Sequence, residues 1–267
     1  MRVLFVGDVV GAPGRRILRQ RLKGLKGDLG ADLTIVNGEH AAGGAGLTPA
    51  TAEELFAAGA DVITTGNHVW DKREVVGLLE REPRLLRPAN YPEGSPGSGL
   101  VVVPVTGIPV AVLNLMGRVF MPLLDDPFRA ADRILHELRG KAKVVFVDFH
   151  AEATSEKMAF AWSVDGKVSA VFGTHTHVAT ADARVLPGGT AFITDAGMTG
   201  PFDSVIGVKK EQAIERFRTS RSVPYETAEG DVRLSAVWVD VDPQSGLAYA
   251  IERVELKEKE REGGGAR

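Results

Sequence analysis

The sequence predicts an α/β fold in which strands that are covered on both faces alternate with helices. The first observation is a set of seven apolar runs of strand length in the first two-thirds of the chain: 3–6, 33–36, 62–65, 100–105, 110–115, 144–149 and 168–172. Most of these runs are continuous rather than alternating, which is typical of strands buried on both faces. The second observation is that helical patterns separate the runs. The 267 residues, 44% of them apolar, suffice for one large core or two small ones.

Each helix is predicted either from residues that favour a helix start or end, or from an apolar stripe at helical spacing. Thr48 and Pro49 favour a helix start, and Gly59 favours the end of the same helix. Two further stripes at helical spacing consist of Ile17, Leu18, Leu22 and Leu25, and of Phe128, Ile134, Leu135 and Leu138. These segments predict helices that pack one apolar face against the strands.

The last third of the chain changes its pattern. Residues 232–241 and 247–254 flank a turn sequence and predict an antiparallel hairpin. We expect a single domain over residues 1–255, followed by a charged, Gly-rich and disordered tail over residues 256–267. The Pro- and Gly-rich segment 88–99 is interpreted as a surface loop inside that domain, and the alternative is a linker between two lobes.

Composition excludes several classes of function. The chain contains no cysteine, which excludes disulfides, thiolate metal sites and cysteine nucleophiles. A net charge of −3 offers no general attraction to nucleic acid, and we expect no stable nucleic-acid complex. No apolar run approaches the ~20 residues of a membrane span, and charge occurs too early for a signal peptide, so we expect a cytoplasmic protein. The basic residues within 15–26 could bind RNA, but the solvated face of an amphipathic helix is the favoured interpretation.

Polar side chains follow five of the predicted strands at the points where these strands end. They are Asp8, Glu39 with His40, Asn67 with His68, His150, and His175 with His177. This set contains five of the six histidines, and the sixth, His136, is interpreted as a surface residue of a helix. Because ligands bind at the carboxyl edge of parallel strands, we expect these side chains to form one site.

Each of these signals is weak by itself. Asp8 alone fits a turn, and His150 alone fits a hydrogen-bonded, half-buried residue. Together they deliver oxygen and nitrogen ligands from several strands. His175 and His177 add a stronger signal because alternate residues of an extended segment share one face. The conjunction predicts a metal site.

The order of these motifs resembles that of the calcineurin-like metallophosphoesterases, and in more detail that of their YmdB-like branch. The segments that carry the resemblance are 7–11, 37–39, 65–71, 87–92, 148–157 and 173–178. The likeness extends from residue 1 to about residue 255, and only the charged tail lies outside it. It implies a four-layer α/β/β/α sandwich with two mixed β-sheets.

The resemblance also implies roles for the polar residues. The first metal would be held by Asp8, Glu39, residue 40 and His177, and the second by Glu39, Asn67, His150 and His175. Glu39 would bridge the two metals, and His68 would be the general acid rather than a ligand. One departure stands out: the family has asparagine after the bridging glutamate, whereas this chain has His40, which we expect to ligate directly.

Two cations that share a carboxylate are expected to hold a bridging hydroxide that attacks phosphorus, while a histidine protonates the leaving group. The resemblance therefore implies a metal-dependent phosphoric diester hydrolase for cyclic nucleotides, 2′,3′-cyclic above all and 3′,5′-cyclic as a second type. Iron or manganese is expected, with zinc and magnesium as alternatives. The competing functions are a phosphomonoesterase or nucleotidase with the same metals, and a metal-binding regulatory protein with incidental hydrolysis. A homo-oligomer is left open.

Other motifs have weaker interpretations. The Gly-rich segments 11–14 and 43–46 lack the Lys-Ser/Thr pair of a P-loop and are interpreted as turns beside the site. Ser155 and Lys157 could contact a substrate phosphate, or they could have a structural role in their loop.

Overall fold

Two mixed β-sheets lie face to face at the centre of the computed structural model, which describes residues 1–258. The first sheet contains β1 (Arg2–Val6), β2 (Asp8–Val9), β3 (Leu33–Asn37), β4 (Val62–Thr64), β11 (Met198–Pro201), β12 (Val232–Val241) and β13 (Ala248–Lys257). Its strand order is β2-β11-β12-β1-β3-β4, with β13 paired to β12. The strands β1, β3 and β4 run parallel, whereas β12 is antiparallel to β1.

The second sheet contains β5 (Leu100–Val105), β6 (Ile108–Met116), β7 (Val144–His150), β8 (Ala170–Thr174), β9 (Arg184–Val185) and β10 (Ala191–Ile193). Its order is β5-β6-β7-β8-β10-β9. The four central strands are parallel, and the two edge strands are antiparallel to their neighbours. The edge strand β5 is only partly buried, unlike the fully buried central strand β7.

Helices cover the outer face of each sheet. The bounds are α1 (Gly11–Leu29), α2 (Pro49–Ala58), α3 (Val75–Arg81), α4 (Pro127–Glu137), α5 (Thr154–Ser163) and α6 (Lys210–Thr219). Apolar residues of α1, α2 and α3 pack on the first sheet, and those of α4 and α5 pack on the second. A third apolar cluster lies between the sheets, where Phe5 stacks on Phe172 with ring centroids 4.4 Å apart. The four-layer α/β/β/α arrangement is therefore confirmed.

The predicted elements agree closely with the observed ones. Each of the seven apolar runs forms a strand whose ends differ from the prediction by at most two residues. The predicted helix start is confirmed as well, because the Thr48 side chain accepts a hydrogen bond from the backbone N–H of Thr51. The short strands β2, β9, β10 and β11 and the helices α3, α5 and α6 were not predicted, since they lack a long apolar pattern.

The segment 88–99 carries the chain from the first sheet to the second. The buried guanidinium of Arg87 donates to the carbonyl oxygens of Pro88, Ser95 and Pro96, which holds this segment against the protein. The strand β13 reaches Lys257, two residues past the predicted domain boundary, and residues 259–267 of the predicted tail lie outside the described part. The single-domain assignment and the disordered tail stay predictions.

Within residues 1–258, no helix combines the length and the apolar character that crossing a bilayer requires. The basic side chains of α1 are largely engaged with acidic ones: Arg15 pairs with Glu54, Arg16 with Glu258, and Lys26 with Asp61. This pairing supports the interpretation of α1 as an ordinary amphipathic helix.

Candidate metal centre

The carboxyl ends of five strands from both sheets meet at one edge of the sandwich. Strands β1, β3 and β4 of the first sheet and β7 and β8 of the second all run toward this edge. The seven predicted ligands, together with His68, follow or end these strands, so the fold brings all of them together. His136 is exposed on α4, away from this set, as the sequence predicts.

The acidic and imidazole groups form two triads in which each ligand atom lies within 4.8 Å of the others. One triad consists of Asp8, His40 and His177, and the other of Glu39, His150 and His175. Five of these six residues are buried. The division matches the two metal positions implied by the family resemblance, and either triad could hold a cation.

Glu39 lies between the two triads. Its Oε1 atom is 2.9 Å from Nε2 of His40 and 2.9 Å from Nε2 of His150, so one carboxylate oxygen touches both groups. Asn67 joins the second triad because its Oδ1 lies 3.0 Å from Nε2 of His150. The geometry therefore suits a bridging role for Glu39 and a ligand role for Asn67.

Hydrogen bonds fix the orientation of three imidazole rings. His40 Nδ1 lies 2.7 Å from the carbonyl oxygen of Gly44, and His177 Nδ1 lies 2.8 Å from that of Ile206. Since a carbonyl oxygen only accepts, each Nδ1 carries the proton. In a neutral ring the Nε2 lone pair then points into the triad, as metal ligation requires.

His150 reaches the same state through a buried relay. The hydroxyl of Thr174 donates to Oδ1 of Asp148 over 2.6 Å, so its oxygen accepts from His150 Nδ1 over 2.9 Å. His150 Nε2 is then left for the second triad. In His175 the two ring nitrogens exchange roles. Its Nε2 lies 3.1 Å from Glu152, outside the triad, and its Nδ1 faces His150 at 3.1 Å.

Two buried atoms of the centre, Asp8 Oδ1 and His177 Nε2, have no hydrogen-bond partner among the described residues and lie 4.0 Å apart. Glu39 Oε1 is faced by the Nε2 atoms of His40 and His150. An unpartnered carboxylate oxygen that is shielded from water carries a high desolvation cost unless a cation or a donor meets it. A cation between Asp8 Oδ1 and His177 Nε2 would satisfy both atoms. Hard oxygen and borderline imidazole ligands together fit divalent transition metals.

Electrostatics support this conclusion at both carboxylates. Burial raises the pKa of Asp8 to about 7. Burial would also raise the pKa of Glu39, but the neighbouring His150 and His40 outweigh it and hold that pKa well below its usual range. Burial likewise opposes the charged form of His40, yet Glu39 and Asp8 raise its pKa to about 9. The centre thus favours positive charge beside Glu39.

The other two histidines are held neutral. Burial, followed by the charge of His150, lowers the pKa of His175 to about 3. Burial, followed by the charge of His40, lowers the pKa of His177 to about 3. Their neutral rings are the form that binds a metal without first losing a proton.

His68 occupies a different position from the ligands. Its backbone N–H donates to Glu39 Oε2, and its ring centroid is 4.8 Å from that of His40. Its Nδ1 lies 2.7 Å from Asp71 Oδ2, and the side chain is one-third exposed. A ring oriented by a carboxylate at Nδ1 has its Nε2 available for proton transfer.

Backbone strain and close packing shape the loops of the centre. His175 and His177 have φ values of 99° and 64°, a region that non-glycine residues rarely adopt and that often marks functional sites. A Cβ atom at Gly66 would lie 2.3 Å from His150 Nε2 and 2.5 Å from Glu39 Oε2. Only glycine fits there, so Gly66 lets β4 end directly against the triads.

The sequence did not reveal the residues that support the ligands. Asp148 is hidden within an apolar strand, yet it accepts from Thr174, Asn37 and Thr64. An acidic residue in a strand that is buried on both faces was the available signal, because such a residue needs partners.

A second support is Asp195, which the sequence also did not reveal. It accepts from the backbone and hydroxyl of Thr176, between the two histidines, and from Lys157 Nζ at 2.8 Å. The pair Lys157–Asp195 is buried. The sequence left two roles open for Lys157, contact with a substrate and structural support. Its buried pairing with Asp195 indicates the structural role.

The fold and the centre together define the metallophosphoesterase-like class of α/β sandwiches. A family model described as YmdB-like protein matches residues 4–254, and the chain belongs to this YmdB-like family. The chain is 51% identical over 254 residues to a 2′,3′-cyclic-nucleotide 2′-phosphodiesterase of Bacillus subtilis, a match that covers 95% of this chain and 96% of that protein.

Solved structures show the same likeness. A hypothetical protein from Thermus thermophilus has a TM-score of 0.92 and 47% identity, covering 97% of this chain and 100% of that one. A protein described as a novel phosphatase from Mycoplasma pneumoniae has a TM-score of 0.91 and 36% identity, covering 96% and 93% of the respective chains. Since these matches span nearly the whole of each chain, the similarity concerns the complete fold.

Proposed function

We propose that this protein is a metal-dependent phosphodiesterase that hydrolyses 2′,3′-cyclic nucleotides. Its relatives among phosphatases and phosphodiesterases support the coarser statement that it is a phosphoric ester hydrolase. The name of the Bacillus subtilis relative supports the cyclic nucleotide and the ester bond at the 2′ oxygen. Hydrolysis of that bond adds one water molecule and leaves a nucleoside 3′-phosphate.

The observation that carries the proposal is the convergence of two carboxylates, four imidazoles and one amide at a site where Asp8 Oδ1 and His177 Nε2 are buried without a hydrogen-bond partner among the described residues. Asp8, His40 and His177 would hold one metal, His150, His175 and Asn67 would hold the other, and Glu39 would bridge them. Two divalent cations, iron or manganese in our proposal, supply positive charge for the phosphoryl oxygens and lower the pKa of water.

His68 supplies what the ligands cannot, a proton for the leaving group. When the bond from phosphorus to the 2′ oxygen breaks, that oxygen leaves as an alkoxide and needs a proton. We assign this proton to Nε2 of His68, since Asp71 binds the opposite ring nitrogen and holds the ring in place. A protein that only binds metals has no need of such an oriented donor.

The test is hydrolysis of a 2′,3′-cyclic nucleotide by protein loaded with iron or manganese. We expect release of the 3′-phosphate and about two metal equivalents per chain by elemental analysis. Turnover of nucleoside monophosphates but not of cyclic diesters would favour the phosphomonoesterase alternative. One metal or none after reconstitution would contradict the two-metal centre.

The His68→Ala variant tests the role of the acid. We expect it to keep both metals and to lose about 10²–10⁴-fold in kcat, the range for general acid–base catalysis. The loss should shrink on a diester that releases p-nitrophenolate, because this leaving group does not need a proton. His136→Ala is the matched control, an exposed histidine on α4. Loss of metal from His68→Ala would show that His68 is a ligand.

A further inference from the structure

A cavity of about 390 Å³ opens beside the metal centre. Its near wall contains His40, His68 and His177. Its far wall consists of residues 206–208 and 225–227 together with Arg216. Pockets of about 300–1,000 Å³ hold small-molecule ligands, and this one is continuous with the group that we assign as the acid.

The far wall is fixed to α6 rather than loose. The backbone N–H of Glu226 donates to Gln212 Oε1 over 2.8 Å, and Gln212 Nε2 donates back to the Glu226 carboxylate over 2.9 Å. Lys209 Nζ lies 2.6 Å from the same carboxylate, and Val208 forms a backbone bridge with Thr227. These bonds hold the adjacent Tyr225 in position beside the cavity.

Tyr225 presents an aromatic surface there. The Arg216 guanidinium lies 5.0 Å from the centroid of the tyrosine ring, within the range of a cation–π contact. The Tyr225 side chain nevertheless stays 43% exposed. An aromatic ring that is backed by arginine and open on another side is a surface on which nucleobases stack.

The cavity is also joined to the metal centre through Ile206. Its carbonyl oxygen accepts from Nδ1 of His177 over 2.8 Å, so one residue both orients a ligand and lines the cavity. Ile206 has a φ of 48°, a strained value for a β-branched residue, and its apolar side chain is 52% exposed. The strained backbone of Ile206 thus lies at the point where its exposed apolar side chain borders the metal centre.

We propose that this cavity is the nucleobase subsite, in which Tyr225 stacks on the base of a nucleotide whose phosphate lies at the metal centre. The inference rests on the proposed function and names the part of the substrate that it recognises. Ile206 and Val208 supply apolar contacts beside the ring. Since every base has a stacking face, the subsite accepts purines and pyrimidines alike.

The kinetic test compares adenosine 2′,3′-cyclic phosphate with methyl riboside 2′,3′-cyclic phosphate, which has the same diester but no base. We expect the wild-type kcat/KM to favour the nucleotide by about 5- to 150-fold, the equivalent of one stacked base. Tyr225→Ala removes this preference by raising KM for the nucleotide alone, and Tyr225→Phe keeps it. Tyr249→Ala, an exposed tyrosine on β13, is the matched control and leaves it unchanged.

The outcomes separate the subsite from the proposed function. Equal turnover of both diesters by the wild type would overturn the subsite and leave the phosphodiesterase intact. An equal loss on both diesters in Tyr225→Ala would also overturn it, because the residue would then be merely structural. Failure of the wild type to hydrolyse either diester would refute the function, and the subsite is then judged by binding.

The binding test uses calorimetry on the full-length, metal-loaded chain. Adenosine 3′-phosphate should bind the wild type at least about 5-fold more tightly than inorganic phosphate, and Tyr225→Ala should abolish that difference. Phosphate affinity should be the same in both proteins. Equal affinity of the wild type for the two probes would overturn the subsite whether or not the protein hydrolyses diesters.

Discussion

Two pairs of buried carboxylates in the same sandwich differ in the hydrogen bonds that their oxygens accept. Asp8 and Glu39 use one oxygen each to accept a backbone N–H, from His175 and His68 respectively, and turn the other oxygen toward the imidazole rings of the centre. Asp8 Oδ1 has no hydrogen-bond partner among the described residues, and Glu39 Oε1 lies 2.9 Å from Nε2 of both His40 and His150. Asp148 and Asp195 are equally buried, at 1% and 0% exposure. In that pair every oxygen accepts a hydrogen bond.

The difference separates the candidate metal ligands from carboxylates that stabilise the fold. A fully bonded buried carboxylate stabilises the native state only through its partners, and loss of one partner exposes the other to an uncompensated desolvation cost. An oxygen that is left unpartnered in the same surroundings is stable only with a cation beside it. Burial is the same in both pairs, so the hydrogen bonds and not the burial distinguish the candidate metal ligands from the structural carboxylates.

Glu39→Gln is expected to have the largest effect, because Glu39 serves both triads. At metal concentrations about 1,000-fold above Kd, each bound metal stabilises the folded chain by about 4 kcal/mol. The variant should lose this metal-dependent part of the free energy of unfolding, measured by urea unfolding with metal and with chelator. In Asp195→Asn the metal-independent part should fall instead, by about 3–5 kcal/mol, since Lys157 loses its buried partner.

Two results would contradict this contrast between ligand-type and structural carboxylates. If Asp195→Asn is destabilised only in the presence of metal, Asp195 belongs to the ligand set and the two pairs are not distinct. Equal stabilisation of Glu39→Gln and the wild type by metal would remove Glu39 from the centre.

His40→Asn sharpens the comparison within the centre itself. The Nε2 atom of His40 contacts Glu39, and its Nδ1 is bound to Gly44, so a direct metal contact is expected. The variant should keep two metals but lose at least about 10-fold in affinity for Fe²⁺ or Zn²⁺ relative to Mn²⁺, because an amide oxygen replaces an imidazole nitrogen. Metal titrations of both proteins check this. Unchanged selectivity would strike position 40 from the ligand set.

Asp182→Asn is expected to have the smallest effect on stability. It tests whether burial determines how much a hydrogen-bonded carboxylate contributes to the free energy of unfolding. Its carboxylate accepts from the hydroxyls of Thr180 and Thr194, much as Asp195 accepts from its partners, yet it is only partly buried. Burial opposes the shift, but these hydrogen bonds lower the pKa of Asp182 below its usual value. We expect Asp182→Asn to cost less than about 1 kcal/mol.

The sign of its pH dependence follows from the lowered pKa. A carboxyl with a folded pKa below its unfolded value stabilises the fold above about pH 4, and that stability is lost as pH falls through the folded pKa. The difference in thermal midpoint between wild type and Asp182→Asn should therefore be constant near pH 7 and shrink below about pH 4. A difference that persists at low pH would mean that the charge of Asp182 does not contribute.

Much of the candidate centre could be predicted because its polar residues follow strands. An apolar run such as 144–149 indicates a strand, and a histidine directly after it indicates a position at the edge of the sheet. That reasoning placed His150 beside Glu39 although the two lie far apart in the chain. The supporting residues could not be found in this way, because Asp148 and Thr174 lie inside strands and their polar groups are explained only by neighbours from other strands.

The sequence by itself determined the α/β alternation, the strand ends and the chemical types of the candidate ligands, because hydrophobic periodicity and local residue type are properties of short segments. Only the tertiary structure decided which nitrogen of each histidine faces the centre, since that depends on carbonyl and hydroxyl partners such as Gly44, Ile206 and Thr174. It also decided that Tyr225 lies beside the same centre. Contacts between segments distant in the chain are set by the packing of the two sheets, and no local pattern encodes them.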